Sequence, residues 1–450
     1  MTQEELRATA SLAAVFAMRL LGLFMIYPVF TAYAHHLSGT TPLLIGVALG
    51  AYGLTQGLLQ IPFGFLSDRV GRKPVISLGL AFFGIGSIVA ALSHSIYGVI
   101  LGRILQGTGA IGSVILALVA DLTREDVRTR AMAIVGITIG LSFVLAIVVG
   151  PLIDSVIGVS GIFWVTAGLA LVGVAITLWL VPTPQRIIRH RDAEAVPALF
   201  ARVLSDPELL RLDFAIFALH AILTASFLAV PPLLASSLHL AGRNDWMVYL
   251  PILFASVVFM VPVIIVAEKG GRMKEMFLAS IALLAASLLA LALGGKIGAV
   301  VILALVGFFT AFNIMEAMLP SLVTKSAPAD AKGTATGIYS SLQFLGIFVG
   351  GVGGGWANSV AGTKGVFAFT VVVAVIWLIL AATMSRPRKV SNYLVHLTSA
   401  DWPNIGALEA KLRSAPGVIE AVVARDEGVA YLKIDRTRFD ADAVAQIIGG

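Results

Sequence analysis

Long apolar runs separated by short polar loops fill the first 384 residues. An α-helix rises 1.5 Å per residue, so about 20 mostly apolar residues cross the hydrocarbon core of a bilayer. Runs of about this length occur at roughly 12–36, 42–66, 74–93, 97–120, 131–153, 160–181, 212–237, 246–267, 275–293, 298–323, 333–357 and 364–384. The pattern predicts twelve membrane-spanning helices. Only 12% of the residues are charged, about half the share of a soluble protein.

The basic residues follow the loops with a strong bias. Of the 31 lysines and arginines, 26 lie in the N-terminus, the even-numbered loops and the C-terminal tail, whereas the odd-numbered loops hold only Arg243, Lys296 and Lys364. The positive-inside rule therefore places both termini in the cytoplasm of an inner-membrane protein. The net charge of +6 is explained by this topology, and nucleic acid is not an expected partner. The N-terminal MTQEELRATA is acidic and has no cleavage site, so the first run is expected to remain as a span.

The spans divide into two related groups of six. We predict an N-terminal bundle at 1–181, a cytoplasmic linker at 182–211 whose AEAVPALFARVL stretch forms an amphipathic helix, and a C-terminal bundle at 212–384. The segment from Pro62 to Lys73 matches the segment from Pro262 to Met273 at an offset of 200 residues, and both join the second and third spans of their half. A parallel six-plus-six repeat predicts a substrate site between the halves.

The composition changes after residue 384. A polar linker at 385–391 precedes residues 392–450, whose alternation and turn signals predict a soluble β-α-β-β-α domain. This order predicts a small α+β domain of ferredoxin-like fold that lacks its last strand, attached to an all-α membrane protein. The domain has no cysteine, which excludes thiolate metal ligation. A sensing or docking role towards an unknown ligand or partner, and a purely stabilising role, both remain open.

The loop after the second span has a pattern beyond that of a basic turn. Gly64 is expected to permit close helix contact, Asp68 to lie near a helix end, and Gly71 to allow a tight reversal before Arg72. Asp121 closes the fourth span and could pair with Arg72. Such an ion pair would act as a conformational switch on the cytoplasmic side, although a merely topological charged loop remains an alternative. The candidate switch residues are Gly64, Asp68, Arg69, Gly71, Arg72 and Asp121.

This loop reads G-x-L-x-D-R-x-G-R-K and resembles motif A of the major facilitator superfamily at every defining position. Arg103-x-x-Gln106-Gly107-x-Gly109 resembles motif B, which the family links to proton coupling. Gly150-Pro151 resembles the antiporter motif C but continues with Leu-Ile-Asp-Ser where that motif expects Gly-Gly, a departure that weakens the antiporter assignment. With its C-terminal domain, the chain resembles the drug:proton antiporters of this superfamily that carry a ferredoxin-like appendage.

One carboxylate is predicted to lie deep inside a span. Glu316, in Asn313-x-x-Glu316 of the tenth span, and His220 of the seventh span each fall about nine residues from the cytoplasmic end of their helix. Both should therefore lie about 13 Å deep. Burial favours the neutral form of a carboxyl, and a nearby cation favours its charged form. We expect Glu316 to carry a proton or bind substrate, with His220 as its partner; a structural role remains open for each.

Two basic residues, both arginines, lie inside predicted spans. Arg19 and Arg103 should face the cavity or bond to backbone carbonyls, because an unpaired charge within the membrane is costly. For Arg19 a structural anchor is the favoured interpretation, and for Arg103 both interpretations stay open. Four further polar residues recur at helical spacing and could line a pocket, or else serve as helix-packing contacts: Tyr52, Gln56, Tyr339 and Gln343.

Catalytic and cofactor patterns are missing from the sequence. It contains no cysteine, no His-Glu-x-x-His and no Ser-His-Asp arrangement, so we expect neither an enzyme nor a bound cofactor. The glycine run at 350–355 lies in an apolar span and is expected to pack helices closely rather than to bind phosphate.

The resemblance and the membrane carboxylate together predict proton-coupled export of small drug-like or amphipathic solutes by alternating access. The expected partners are the lipid bilayer, protons and a small-molecule substrate. An importer or facilitator of sugars or organic acids, and a non-transporting sensor that signals through the C-terminal domain, are the alternatives.

Overall fold

The computed structural model describes residues 1–183, 196–238, 246–269, 271–295, 297–328, 330–385, 391–397, 405–424, 428–435 and 438–449. Three predicted features lie largely outside these residues: the first part of the inter-half linker, the linker at 385–391, and the turn that contains Arg425, Asp426 and Glu427.

The first half contains six spans in seven helices. They are α1 (Gln3–Phe24), α2 (Tyr27–Ala34), α3 (Pro42–Val70), α4 (Arg72–Leu92), α5 (Ile96–Thr108), α6 (Gly112–Asp121) and α7 (Glu125–Trp179). Helices α1 and α2 form the first span, interrupted just before Pro28, and α5 and α6 form the fourth, interrupted at Gly109. The fifth and sixth spans are continuous in α7 and change direction at Gly158, whose φ of 72° suits glycine.

The second half repeats this plan. A 3-10 turn (Pro197–Leu199) and the short α8 (Phe200–Leu204) precede α9 (Pro207–Leu238), α10 (Trp246–Lys269), α11 (Met273–Gly294), α12 (Gly298–Ser326) and α13 (Lys332–Ala382). The last two spans share α13, with the bend at Ala361 and Gly362. Within the described residues, ten apolar helical segments are long enough to cross a membrane, and two of them bend into pairs of spans. The twelve predicted spans and the all-α membrane fold are therefore confirmed.

Burial separates central spans from lipid-facing ones. The most apolar part of α9 is 89% buried within the protein, whereas that of α10 is only 22% buried. Large apolar side chains on α10, such as Phe254 and Phe259, are exposed. In a bilayer these side chains face lipid, so the seventh span is central and the eighth is peripheral.

Glycines bring the two halves into close contact. A Cβ atom at Gly50 of α3 would lie 2.9 Å from the carbonyl oxygen of Phe348 in α13, and Gly46 faces the backbone of Gly351. On the opposite face of α13, Gly350 packs against the backbone of Ala221 in α9. The prediction that the glycine run packs helices closely is confirmed.

The C-terminal domain has the predicted element order. It contains β1 (Ser391–His396), α14 (Ile405–Ser414), β2 (Val418–Ala424), β3 (Val429–Ile434) and α15 (Ala441–Gly449). The sheet order is β1-β3-β2 with both pairings antiparallel, as in a split β-α-β unit. Leu408, Leu412 and Leu432 lie in its apolar core. The predicted ferredoxin-like fold without its last strand is confirmed.

This domain is docked on the membrane part through polar contacts. Lys433 Nζ on β3 donates to the carbonyl oxygen of Ser326 at the end of α12, at 3.2 Å. Arg202 of α8 bridges Glu420 on β2 and Asp330 in the loop before α13, at 3.2 and 3.1 Å. The linker between the halves therefore joins the soluble domain to the second half.

Candidate substrate and proton site

The turn between α3 and α4 holds a buried ion pair. Gly71, with a φ of 105°, allows α4 to begin directly at Arg72. The Nε atom of Arg72 donates to Asp121 Oδ2 at 3.1 Å, and both side chains are fully enclosed. Its Nη1 atom donates to Ser67 Oγ at 2.7 Å and also to Asp68. The predicted pairing of Asp121 with Arg72 is confirmed.

Two other predicted switch residues behave differently. Arg69 is exposed, so it faces away from the enclosed ion pair. A Cβ atom at Gly64 would meet only Ser113 Oγ, at 3.6 Å, which is an ordinary contact distance. The prediction that Gly64 permits close helix contact is wrong for this conformation, because Gly64 lines a cavity instead.

That cavity has a volume of about 50 Å³ and lies between the halves. The first half lines it with residues of α3, α4 and α6, including Gln60, Asp68 and Arg72, and the second half with the first turns of α13, including Thr336 and Ser340. A movement of α13 relative to α3 would therefore change the surroundings of the ion pair.

His220 and Glu316 meet in the second half. His220 Nε2 lies 3.8 Å from Glu316 Oε2. Gln343 joins them, with its Nε2 atom 2.9 Å from His220 Nε2 and 3.4 Å from Glu316 Oε1. The three residues come from the seventh, tenth and eleventh spans. The prediction that His220 and Glu316 share one depth in the bundle is confirmed.

The hydrogen bonds fix the roles of the ring nitrogens. His220 Nδ1 lies 3.3 Å from the carbonyl oxygen of Ile216, so we assign the proton to Nδ1, and Nε2 accepts from Gln343. His220 is then neutral. Glu316 Oε2 has no hydrogen-bond donor within the described part of the chain. The side chain of Glu316 keeps 27% of its surface accessible, against 2% for His220, while its Oε2 atom is itself buried.

Aromatic rings connect this cluster to the first half. The ring of Phe312 lies 5.9 Å from that of His220 and 5.3 Å from that of Phe143 in α7. The ring of Phe344, next to Gln343 in the chain, lies 6.1 Å from that of Tyr52 in α3. The polar clusters of the two halves are therefore separated by only one layer of rings.

The first-half cluster is built around Arg19. Its Nη2 atom donates to Gln56 Oε1, and Gln56 Nε2 donates to Gln60 Oε1 at 2.5 Å. The guanidinium carbon lies 5.7 Å from the centroid of the Tyr52 ring, within cation–π range. Gln60 lines the cavity, so a continuous row of polar side chains leads from the cavity to Arg19.

Arg103 has a different environment. Its Nε and Nη2 atoms donate to the carbonyl oxygens of Ala48 and Leu49 at 3.4 and 3.3 Å, and Nη1 donates to Gln106 at 2.9 Å. Gln106 in turn donates to Ser87. These contacts indicate a structural role for Arg103 and an incompletely bonded Arg19, whereas the sequence favoured a structural anchor for Arg19 and left the role of Arg103 open.

The remaining candidates are split between packing and the site. Asn313 donates to Ser256 of α10 at 2.9 Å, so it holds two helices together and faces away from the cluster. Tyr339 is buried, and its hydroxyl has no hydrogen-bond partner among the described residues. Sequence reasoning missed Asp213, which is 3% exposed, because its position two residues after Arg211 suggests a span end.

The site combines titratable and hydrogen-bonding side chains from both halves. Within the described residues, no group of three or more His, Asp or Glu side chains could hold a metal ion. The titratable pair in one half and the buried arginine in the other lie on either side of the surface where the halves meet. Relative movement of the halves would change the environment of both.

Comparisons with known proteins agree with this architecture. The family model described as Major Facilitator Superfamily matches residues 12–351 and 212–414. The chain is 44% identical over 435 residues to the inner membrane transport protein YajR of Escherichia coli K12, covering 97% of this chain and 95% of that protein. It is 36% identical over 109 residues to multidrug resistance protein D of the same bacterium, covering 24% of this chain and 28% of that protein.

Among solved structures, a bacterial homologue of the human lysosomal transporter Spinster, in an inward-facing and occupied conformation, superimposes with a TM-score of 0.67 at 14% identity. The match covers 85% of this chain and 96% of that one. At this identity the likeness concerns the fold alone.

Proposed function

The chain belongs to the major facilitator superfamily, and on that premise we propose that it is a proton-coupled exporter of small amphipathic solutes that works by alternating access. It is a multi-pass membrane transporter; the proton, the direction of transport and the solute class are the proposed parts. The observation that carries the proposal is the cluster of His220, Gln343 and Glu316 on three different spans. Partial similarity to a multidrug resistance protein supports the solute class.

The hydrogen bonds suggest how one proton is handled. Glu316 Oε2 is the oxygen without a donor, so it is the atom that takes up the proton. Protonation removes the charge that Gln343 and His220 face, and departure of the proton restores it. Because Gln343 lies on α13, which also lines the cavity and contacts α3, the charge of Glu316 is linked to the packing between the halves.

The contacts between the halves support an inward-opening conformation. At the end of the bundle away from the termini, Tyr27 and Thr224 hydroxyls lie 3.4 Å apart, and Thr31 donates to the carbonyl oxygen of Phe227 at 3.1 Å. The cavity lies at the opposite end, beside Asp68 and Arg72. With both termini in the cytoplasm, as the loop charges predict, this cavity opens to the cytoplasm.

The direct test is transport by the purified protein in proteoliposomes with an imposed pH gradient, measured for a panel of amphipathic solutes. We expect Glu316→Gln to abolish the dependence on the gradient. Glu275→Gln removes a carboxylate at the first turn of α11, outside the cluster, and is the matched control that should keep the dependence. Transport by the parental protein that is indifferent to the gradient would remove proton coupling from the proposal.

A double-mutant cycle tests whether His220 and Glu316 act as one unit. Interacting titratable groups share their apparent titration steps, so His220→Ala should shift the pH profile of transport in the same way as Glu316→Gln. The double variant should lose little more activity than the worse single variant. Fully additive losses would assign separate roles, leaving Glu316 as the proton site and His220 as a packing residue.

A further inference from the structure

The membrane interior of the first half contains two arginines and no acid. All Asp and Glu residues of 1–181 fall in loops or at the ends of predicted spans, whereas Arg19 and Arg103 lie within spans. Both are almost completely buried. A charge removed from water is costly unless partners replace the lost hydration, so the contacts of each arginine indicate what it is built to bind.

The two arginines are bonded unequally. All three nitrogens of Arg103 donate to backbone or amide oxygens. Of the nitrogens of Arg19, only Nη2 has a partner, Gln56, and neither Nε nor Nη1 has an acceptor among the described residues. The hydroxyl of Tyr52 is likewise buried; it interacts with Arg19 and has no partner at hydrogen-bond distance in the described structure. The cluster therefore holds several N–H and O–H donors for which the described residues supply no acceptor at hydrogen-bond distance.

These donors lie beside each other and beside the cavity. The guanidinium carbon of Arg19 is 5.7 Å from the centroid of the Tyr52 ring. Gln56 holds one edge of the guanidinium and continues through Gln60 to the cavity wall. The ring of Tyr52 also contacts Phe344 of the second half. A group that enters when the halves separate would thus meet charge and apolar surface together.

We propose that Arg19, Tyr52 and Gln56 form a subsite for an acidic oxyanion of the transported solute, which makes that solute an amphipathic organic acid. The inference rests on the proposed transport function and adds the chemical class of the substrate. A carboxylate accepts from several donors at once and pairs well with a guanidinium. It would supply both the missing acceptors and the missing negative charge, and the rings of Tyr52 and Phe344 would cover its apolar body.

The experiment measures binding without transport. Thermal unfolding of the purified full-length protein in detergent is followed with increasing phenylbutyrate, with the uncharged phenylbutyramide of nearly the same shape, and with inorganic phosphate, all at constant ionic strength. We expect the acid to raise the unfolding temperature and the amide to raise it much less. Stabilisation by phosphate as strong as that by the acid would show a general anion site and overturn the assignment to an amphipathic acid.

Variants assign the effect to the subsite. Arg19→Gln should raise the apparent dissociation constant for phenylbutyrate at least tenfold and leave that for the amide unchanged, and Arg19→Lys should restore part of the affinity. The guanidinium carbon of Arg103 also lies near the Tyr52 ring, 5.2 Å from its centroid. Tyr52→Phe keeps this ring and removes only the hydroxyl, so it tests the site even if Arg19→Gln fails to fold; we expect a threefold to tenfold loss in affinity for the acid.

Equal stabilisation by acid and amide, no stabilisation by the acid, or undiminished acid binding in Tyr52→Phe and Arg19→Lys would each overturn the subsite. Since no pH gradient is present, loss of proton coupling in the transport assay would leave this result unaffected, and the two proposals fail separately.

Discussion

The turn between the second and third spans occurs twice, once in each half, and the two copies differ at their centre. In the first copy, Arg72 begins α4 and pairs with Asp121 at the end of α6. In the second copy, Met273 begins α11, and Lys325 near the end of α12 donates to its sulfur at 3.7 Å. An ion pair in one half thus corresponds to a lysine–thioether contact in the other.

The residue that follows is the same in both copies and makes the same contacts. Lys73 Nζ donates to the carbonyl oxygens of Leu178 and Val181 at 3.2 and 2.8 Å, at the end of the sixth span. Lys274 Nζ donates to those of Ala382 and Met384 at 3.0 and 2.5 Å, at the end of the twelfth span. A cation at the C-terminal end of a helix is stabilising. The lysine is therefore the shared structural part of the turn, and among the described side chains of the two turns the ion pair occurs in the first half.

The largest expected effect is the loss of the ion pair. Arg72→Met gives the first turn the methionine that the second turn has at position 273. It leaves Asp121 charged and enclosed, so it should lower the free energy of unfolding by about 3–5 kcal/mol. The matched change Met273→Leu conserves volume and should cost less than about 1.5 kcal/mol. Thermal unfolding of the purified variants measures both. Equal losses would mean that the two turns are equivalent in stability.

Asp68→Asn separates transport from stability. Asp68 is partly exposed, and Arg72 keeps Asp121 as its charged partner in this variant, so the protein should insert and unfold almost as the parent does. We expect the initial rate of transport in proteoliposomes to fall about tenfold, a change of about 1.4 kcal/mol in the barrier, if the ion pair acts between states. Glu268→Gln, at the corresponding position of the second half, should keep the parental rate. Parental transport by Asp68→Asn would make the turn merely topological.

The shared lysines should behave alike. Lys73→Met and Lys274→Met each remove a charged donor from the end of a span, and each should lower the free energy of unfolding by about 1 kcal/mol. The measurement is again thermal unfolding, with the double variant expected to show additive losses because the two sites are in different halves. A large effect from one lysine alone would show that the turns do not share a structural part.

The smallest expected effect concerns the soluble domain. This domain contacts the end of α12, the part of the second half that corresponds to the end of α6, and the second half has no acid there equivalent to Asp121. Burial lowers the pKa of Lys433 on β3, and Glu420 partly opposes this. A lysine whose pKa is lower in the folded protein binds its proton more weakly there than after unfolding, so stability should rise as the pH increases from the lowered pKa towards 10.5.

Lys433→Met should remove this pH dependence and change transport by less than about threefold, since Lys433 lies in the soluble domain and does not line the cavity between the halves. Removal of residues 392–450 should likewise leave insertion intact and alter only the rate. Failure of the shortened chain to insert would instead make the domain part of the membrane fold.

Several features were available from the sequence because their signals are local. Span length and apolar runs predict the twelve crossings, and alternation with turn residues predicts the five elements of the soluble domain. Asp68, Gly71 and Arg72 could be identified because they fall together in one short segment where two consecutive helices meet. Even there, the offset between the halves is 200 at Pro62 and Pro262 but becomes 201 at Lys73 and Lys274, because the second turn is longer.

Only the tertiary structure decided which polar side chains share partners. Arg19 and Arg103 look alike in the sequence, and their difference arises from contacts with residues on other spans. Asn313 and Glu316 are one turn apart, yet one bonds to α10 and the other meets His220 and Gln343. The physical reason is that hydropathy sets how a helix crosses the membrane, whereas the crossing and rotation of distant helices determine where its few polar groups find acceptors.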